Sequence, residues 1–124
     1  MIAADTSSLS AHLSGELGQD VSLVEAEVRK GALYIPDVVL TEALSAPGLT
    51  PALQAALLKF RRVPLLDGYW ERAGEARRLL RSKGLRARLG DALIAQACID
   101  NGAELITRDS DFRHYAQHCA LKLA

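Results

Sequence analysis

Three acidic residues between Leu89 and Phe112, in the stretch LGDALIAQACIDNGAELITRDSDF, occupy positions that packing does not explain. Asp91, Ile94, Ala95 and Cys98 recur at i, i+3, i+4 and i+7, so they share one helix face that is apolar except for Asp91. Asp109 and Asp111 follow where the next short apolar run gives out. Asp5 ends a first apolar run, Met1 to Ala4, and Glu42 shares a helix side with Val38, Val39 and Ala46. Carboxylates without matching Lys or Arg cannot all stay ionised a few ångströms apart in a shielded cleft. A divalent cation removes the difficulty, and oxygen-only ligands suit Mg²⁺ or Mn²⁺. Beside a phosphodiester such ions generate hydroxide, orient it in line and stabilise the leaving oxygen, so the chemistry implied is phosphoester hydrolysis.

These residues need a scaffold that brings them together, and 124 residues is the length of one domain built around a single core. A composition of 49% hydrophobic and 24% charged residues is that of an ordinary globule. No run of 18 apolar residues and no signal-peptide pattern is present, so the expectation is a cytoplasmic protein with no membrane partner. Cys98 and Cys119 lack CxxC spacing; Cys98 lies on a core face and reads as a buried thiol.

In chain order, strand Met1 to Ala4 runs into Asp5, with Thr6 or Ser7 expected to cap a helix whose core stripe is Leu9, Leu13 and Leu17. Val21, Val24 and Val28 predict a second helix ending near Gly31. A strand follows at Leu33 to Ile35, and Pro36 is expected in the first turn of the Glu42 helix, which Pro47 and Gly48 end. Thr50 and Pro51 open another helix, running to about Phe60. A third strand is expected at Val63 to Leu66, then a longer helix through Trp70, Ala73, Ala76, Leu79 and Leu80 to Gly84. The Leu89 helix closes at Gly102, a strand covers Glu104 to Thr107, a helical turn or more surrounds Tyr115, and Ala120 to Leu123 is a possible fifth strand.

Strands alternating with helices predict an α/β domain with a mainly parallel sheet and helices on both faces. In such a sheet ligands bind outside the carboxyl ends of the strands, where strand order reverses. Asp5 and Asp109 follow the first and fourth strands and so lie at that edge. Asp91 reaches it from the first turn of a helix that starts there, where the helix dipole favours its charge. Glu42 lies roughly 9 Å along a helix that begins at the same edge, at about 1.5 Å of rise per residue.

With these placements the chain resembles a PIN-domain ribonuclease, and in size and motif order a VapC-type toxin of a toxin–antitoxin pair. The resemblance covers essentially residues 1–124 as one PIN-like domain. It rests on Asp5, Thr6 and Ser7 after a short strand, on Glu42, on DALIA from Asp91 to Ala95, and on TRDSDF from Thr107 to Phe112. It implies a five-stranded sheet of order 3-2-1-4-5. It also implies that Asp5, Glu42, Asp91 and Asp109 hold Mg²⁺ or Mn²⁺, with Asp111 a neighbouring helper and Thr6 and Thr107 hydroxyl partners. The implied substrate is RNA, cut to a 5′-phosphate and a 3′-hydroxyl; the implied partners are a VapB-like antitoxin and a second copy of the chain.

Rival readings are a housekeeping PIN nuclease, a catalytically silent PIN-fold interaction domain, and a phosphorylated receiver domain with Asp67 as its acceptor. The receiver reading lacks a second acid beside Asp5. Net charge is zero, yet residues 59 to 88 carry ten Lys or Arg against Asp67, Glu71 and Glu75. That density can be a phosphate footprint, or a solvated face neutralised by helix neighbours such as Glu75 and Arg78. His114 and His118 share a helical spacing but lack a third ligand, so surface histidines are expected. Tyr69 and Trp70 could stack on bases, and packing is the preferred role.

Overall fold

The computed structural model describes residues 1–124 and joins five short strands into one sheet. These are β1 (Ile2–Ala4), β2 (Leu33–Ile35), β3 (Arg61–Arg62), β4 (Glu104–Ile106) and β5 (Lys122–Leu123). Their order is 3-2-1-4-5, as the family resemblance implies, and every neighbouring pair is parallel. The intervening helices are α1 (Thr6–Leu13), α2 (Gln19–Arg29), α3 (Asp37–Leu44), α4 (Pro51–Leu58), α5 (Tyr69–Ser82), α6 (Leu89–Asn101) and α7 (Phe112–Cys119).

The middle strand is the shortest in side chains and the most buried. Ala3 and Ala4 are inaccessible, pairing with Tyr34 on one side and with Leu105 and Ile106 on the other. A parallel sheet must be covered on both faces, and 25 buried residues do this as one cluster that includes Leu9, Val24, Ile35, Val39, Leu80, Ile94 and Tyr115.

α5 and α6 form an antiparallel hairpin tied by polar contacts. The Tyr69 hydroxyl donates to the Leu93 carbonyl (2.6 Å), and the Arg77 Nε–H donates to the Ala87 carbonyl (2.8 Å). Arg72 grips both oxygens of Asp100 at 2.9 and 2.8 Å, the fork geometry that suits guanidinium and carboxylate. Burial works to raise the Asp100 carboxyl, but the Arg72 and Gln96 hydrogen bonds outweigh it and hold the group below its usual range. Gly102, at φ 61°, ends α6 in the left-handed conformation that its position requires.

Several boundaries differ from expectation. The third strand is Arg61–Arg62, not Val63 to Leu66: only the Val63 N–H continues the ladder, to Ile35 O at 3.0 Å, and Pro64 has no N–H to donate. Helix α1 is capped by Asp5, not by Thr6 or Ser7, and stops at Leu13. Gly15 turns the chain away at φ 73°, which leaves Leu17 92% exposed and outside any core stripe. Pro36 is the N-cap of α3, one position before the first turn, and α3 ends at Leu44, ahead of Pro47.

Candidate metal centre

Asp5 sits where β1 becomes α1. Its N–H donates to Ile106 O (3.1 Å), extending the pairing of the two central strands by one residue. Its carboxylate caps α1 by accepting the Ser8 N–H at 2.9 Å, and Ser7 Oγ lies 2.9 and 2.8 Å from its two oxygens. Thr107 Oγ1 donates to Asp5 Oδ2 (2.5 Å) and accepts the Asp109 N–H (3.0 Å), so one hydroxyl links both acids across β1 and β4. Asp5 is only 2% exposed. Burial raises its pKa against the pull of the Thr107, Ser8 and Ser7 hydrogen bonds, and the charge of Asp109 adds to the rise.

Asp109 in turn accepts the Asp111 N–H at 2.9 Å, an Asx turn that leads directly into α7. Glu42, from α3, accepts the Thr6 hydroxyl at 2.6 Å. Asp91 is the third residue of α6, and its Oδ2 is buried with no hydrogen-bond partner. Its pKa is pushed up to about 6, by burial first and then by Asp109; Asp111 and Glu42 add to this and Arg88 opposes it.

A cavity of about 260 Å³ at the carboxyl edge is lined by Asp5, Glu42, Asp91 and Asp109 together with Thr6, Ser7, Arg88 and Ile94. Asp111 is not on its wall. Instead, Asp91, Asp109 and Asp111 form a second, overlapping set in which one carboxylate oxygen from each lies within 4.8 Å of the others. Asp91 and Asp109 belong to both. No Lys or Arg forms an ion pair with Asp5, Glu42, Asp91 or Asp109; the nearest such pair is Arg86 with Asp111, at 3.7 Å. An unpartnered, buried carboxylate oxygen within a cluster of hard oxygen donors fits a divalent cation, which would satisfy the orphan atom and offset the mutual repulsion.

Other sequence candidates lie elsewhere. His114 and His118 are on α7, outside the cavity and outside the carboxylate cluster. Cys98 is buried, its thiol pushed up to about 12 by burial and the Asp5 charge, and neither cysteine is in a disulfide. Tyr69 is packed, as expected, but Trp70 is 62% exposed and does not pack in the core.

Three residues of the site have roles that the sequence reading did not give them. Ser7, read as a possible helix cap and as part of the Asp5 motif, bonds the Asp5 carboxylate instead. Arg88 was read only as one member of a basic run. Arg108 ties the Asp109 loop to the α1–α2 turn through Asp20 (2.8 Å) and Glu16 (3.2 Å). Nothing in TRDSDF marks that role.

A wholly parallel sheet with an oxygen-rich carboxylate cleft at its central edge defines a class of α/β proteins suited to phosphate chemistry. The order 3-2-1-4-5 excludes a receiver domain, whose order is 2-1-3-4-5. The family model of the PIN domain matches residues 2–117, and the chain belongs to that family. PIN domains are nucleases. Among solved structures, the chain is similar to one in the VapBC2 complex of Rickettsia felis bound to a DNA fragment from their promoter. The two share 21% identity and a TM-score of 0.76, covering 100% of this chain and 98% of that one. It is also similar to a chain of VapBC-5, a toxin–antitoxin system of Mycobacterium tuberculosis, at 20% identity and TM-score 0.64, covering 98% and 95%. No curated protein matches it.

Proposed function

We propose that the chain is a metal-dependent endoribonuclease and the toxin of a VapBC-type pair. The observation that carries the reading is the convergence of Asp5, Glu42, Asp91 and Asp109 on one cavity, with an Asp91 oxygen that nothing else satisfies. Membership of a nuclease family supports the reaction class. The VapBC complexes among the similar structures support the toxin role.

In this reading Asp5, Glu42, Asp91 and Asp109 hold Mg²⁺ or Mn²⁺, with Asp111 adjoining. The ion, when bound, supplies hydroxide at neutral pH and neutralises charge on the leaving oxygen. The chain's own contribution is positioning. Thr107 fixes Asp5 and the Asp109 backbone together, Ser7 and Ser8 hold Asp5 in one rotamer, and Thr6 directs Glu42. Arg88, on the rim, places a cation beside the acids where an RNA phosphate would arrive. A VapB-like antitoxin is the expected partner, a homodimer the expected assembly, and the cytoplasm the expected location.

The test is RNA cleavage in Mg²⁺ or Mn²⁺ by the parent and by Asp5→Asn and Asp91→Asn. Each substitution is expected to lower the rate by about 100-fold or more, since even outer partners of a metal site cost about 10- to 100-fold, and EDTA should abolish cleavage. Undiminished cutting by either variant, or in EDTA, refutes the assignment.

A further inference from the structure

A second feature adjoins the acidic cavity and plays no part in holding the ion. Along α5, Trp70, Gly74, Arg77 and Arg81 fall at i, i+4, i+7 and i+11, so they share one face about 16 Å long. A groove of about 500 Å³ on this face is lined by Gly74, Arg77, Arg78, Arg81, Ser82 and Leu89. Arg77 is committed to the Ala87 carbonyl. Arg78 and Arg81 form no ion pair, and the Glu75–Arg78 pair that helix spacing allows is not made. Two like charges one helix turn apart are mildly destabilising, an effect that the favourable place of Arg81 in the last turn of α5 offsets.

Trp70 and Leu89 are 62% and 60% exposed, Trp70 at the start of the same α5 face and Leu89 on the α6 wall of the groove, so apolar surface accompanies the cationic stripe. Leu89 lines the groove, while Arg88, the residue before it, lines the acidic cavity. A ligand lying along α5 therefore passes over the start of α6 into the carboxylates. Cations alternating with exposed apolar faces suit a chain of phosphates bearing bases that can stack, which is single-stranded nucleic acid. We propose that this groove is the track for the single-stranded RNA flanking the scissile phosphate. The inference rests on the nuclease reading, and it explains why the site inverts sign: the ion faces the reacting phosphate, while the arginines face its neighbours.

Trp70 is the only tryptophan in the chain, so its fluorescence reports the track directly. Binding of a labelled single-stranded RNA oligomer is measured in EDTA across a salt series, with the parent, Arg78→Ala/Arg81→Ala, Trp70→Ala and Gly74→Glu. A Cβ at Gly74 meets nothing within 4 Å, so the last variant starts a negatively charged side chain into open space. RNA should quench Trp70 in the parent. The double variant should flatten the log–log salt dependence by about 1.4, at about 0.7 per lost phosphate contact. Trp70→Ala should weaken binding by about 5- to 150-fold, the range for loss of one stacked base, and Gly74→Glu should weaken both binding and quenching.

Hydrolysis of bis(p-nitrophenyl) phosphate in Mn²⁺ reads the acidic cavity without a flanking chain, so the ratio of RNA to small-diester turnover should fall in all three variants. If the parent hydrolyses the diester and binds RNA, but the variants keep its salt dependence and affinity, the track is refuted while the nuclease reading stands. Failure of the parent to hydrolyse either substrate overturns both. Binding of duplex RNA as tight as single-stranded, or arginine variants that weaken only an acidic protein partner, likewise overturns the track.

Discussion

Replacing Asp91 by Asn should make the metal-free protein more stable while removing its function. The Asp91 carboxyl sits at about 6 in the folded chain against an ordinary 3.8. At about 1.4 kcal/mol per unit, that gap corresponds to about 3 kcal/mol needed to keep it ionised at pH 7.5. Asn carries no charge, and its amide inherits a site where one oxygen already lacks a partner; the net gain expected is about 1–3 kcal/mol, since a buried amide left unpaired has its own cost. The sign follows from proton counts. Between 3.8 and about 6 the folded chain holds a proton that the unfolded chain has lost, so parental stability falls as pH rises through that window. The advantage of Asn is therefore complete above about pH 6 and absent below 3.8. In EDTA at pH 7.5, melting followed by circular dichroism should place Asp91→Asn roughly 4–12 °C above the parent, at about 4 °C per kcal/mol for a chain of this size. The difference should shrink toward pH 4. Adding Mn²⁺ should reverse the order, because the parent gains binding energy that the variant loses. A variant less stable than the parent in EDTA at pH 7.5, or one whose advantage is the same at pH 4, refutes the reasoning.

Two further substitutions test the framework around the acids. Thr107→Val keeps the shape but deletes the hydroxyl that serves Asp5 and the Asp109 N–H. It should cost about 1–3 kcal/mol in melts and about 10- to 100-fold in Mn²⁺ affinity by titration, with Thr107→Ser recovering most of both. Arg108→Ala removes the cation whose hydrogen bonds hold the Asp20 carboxyl below its usual range. A depressed pKa contributes stability that is present above 3.8 and lost as pH falls through the folded value. The variant should therefore melt lower than the parent at pH 7, and the gap should close toward pH 2; a gap independent of pH contradicts this role for Arg108.

The parallel sheet and the carboxyl-edge placement of Asp5, Asp91 and Asp109 were legible because strand–helix alternation leaves little freedom in topology, whereas the strand order came from the family resemblance. Gly84 and Gly102 marked helix ends for the same local reason that the structure uses them. β3 was not legible. A two-residue edge strand of exposed arginines has no alternation to read, while apolar Val63 to Leu66 resembles a strand although Leu65 and Leu66 are 39% and 44% exposed. Leu17 fits a helical stripe in spacing, but α1 has already stopped at Leu13. At the site, Asp111 and Glu42 join the Asp91–Asp109 pair in different sets: Asp111 closes the tight cluster and Glu42 lines the cavity. That division depends on side-chain reach, which spacing does not encode. Trp70 was expected to pack because its helix period matches the core stripe, yet only its neighbour Tyr69 turns inward.

The hydrogen-bond pattern explains how so many like charges are kept in place. Asp5 is held by Ser7, Ser8 and Thr107, Glu42 by Thr6, and Asp109 by the Asp111 N–H. Asp91 Oδ2 has no such support. Nearby cations do not neutralise the group: Arg86 reaches only Asp111, and Arg88 stays on the rim without an ion pair. An arginine inserted among the acids would close the cleft to an ion, because the same lone pairs cannot serve both. The fixed acids give the cleft its shape, and the unsupported one gives it an unmet need for positive charge. If an ion binds here, rigid ligands beside one unpartnered carboxylate put the cost of the site on Asp91 and leave the sheet that carries it undisturbed.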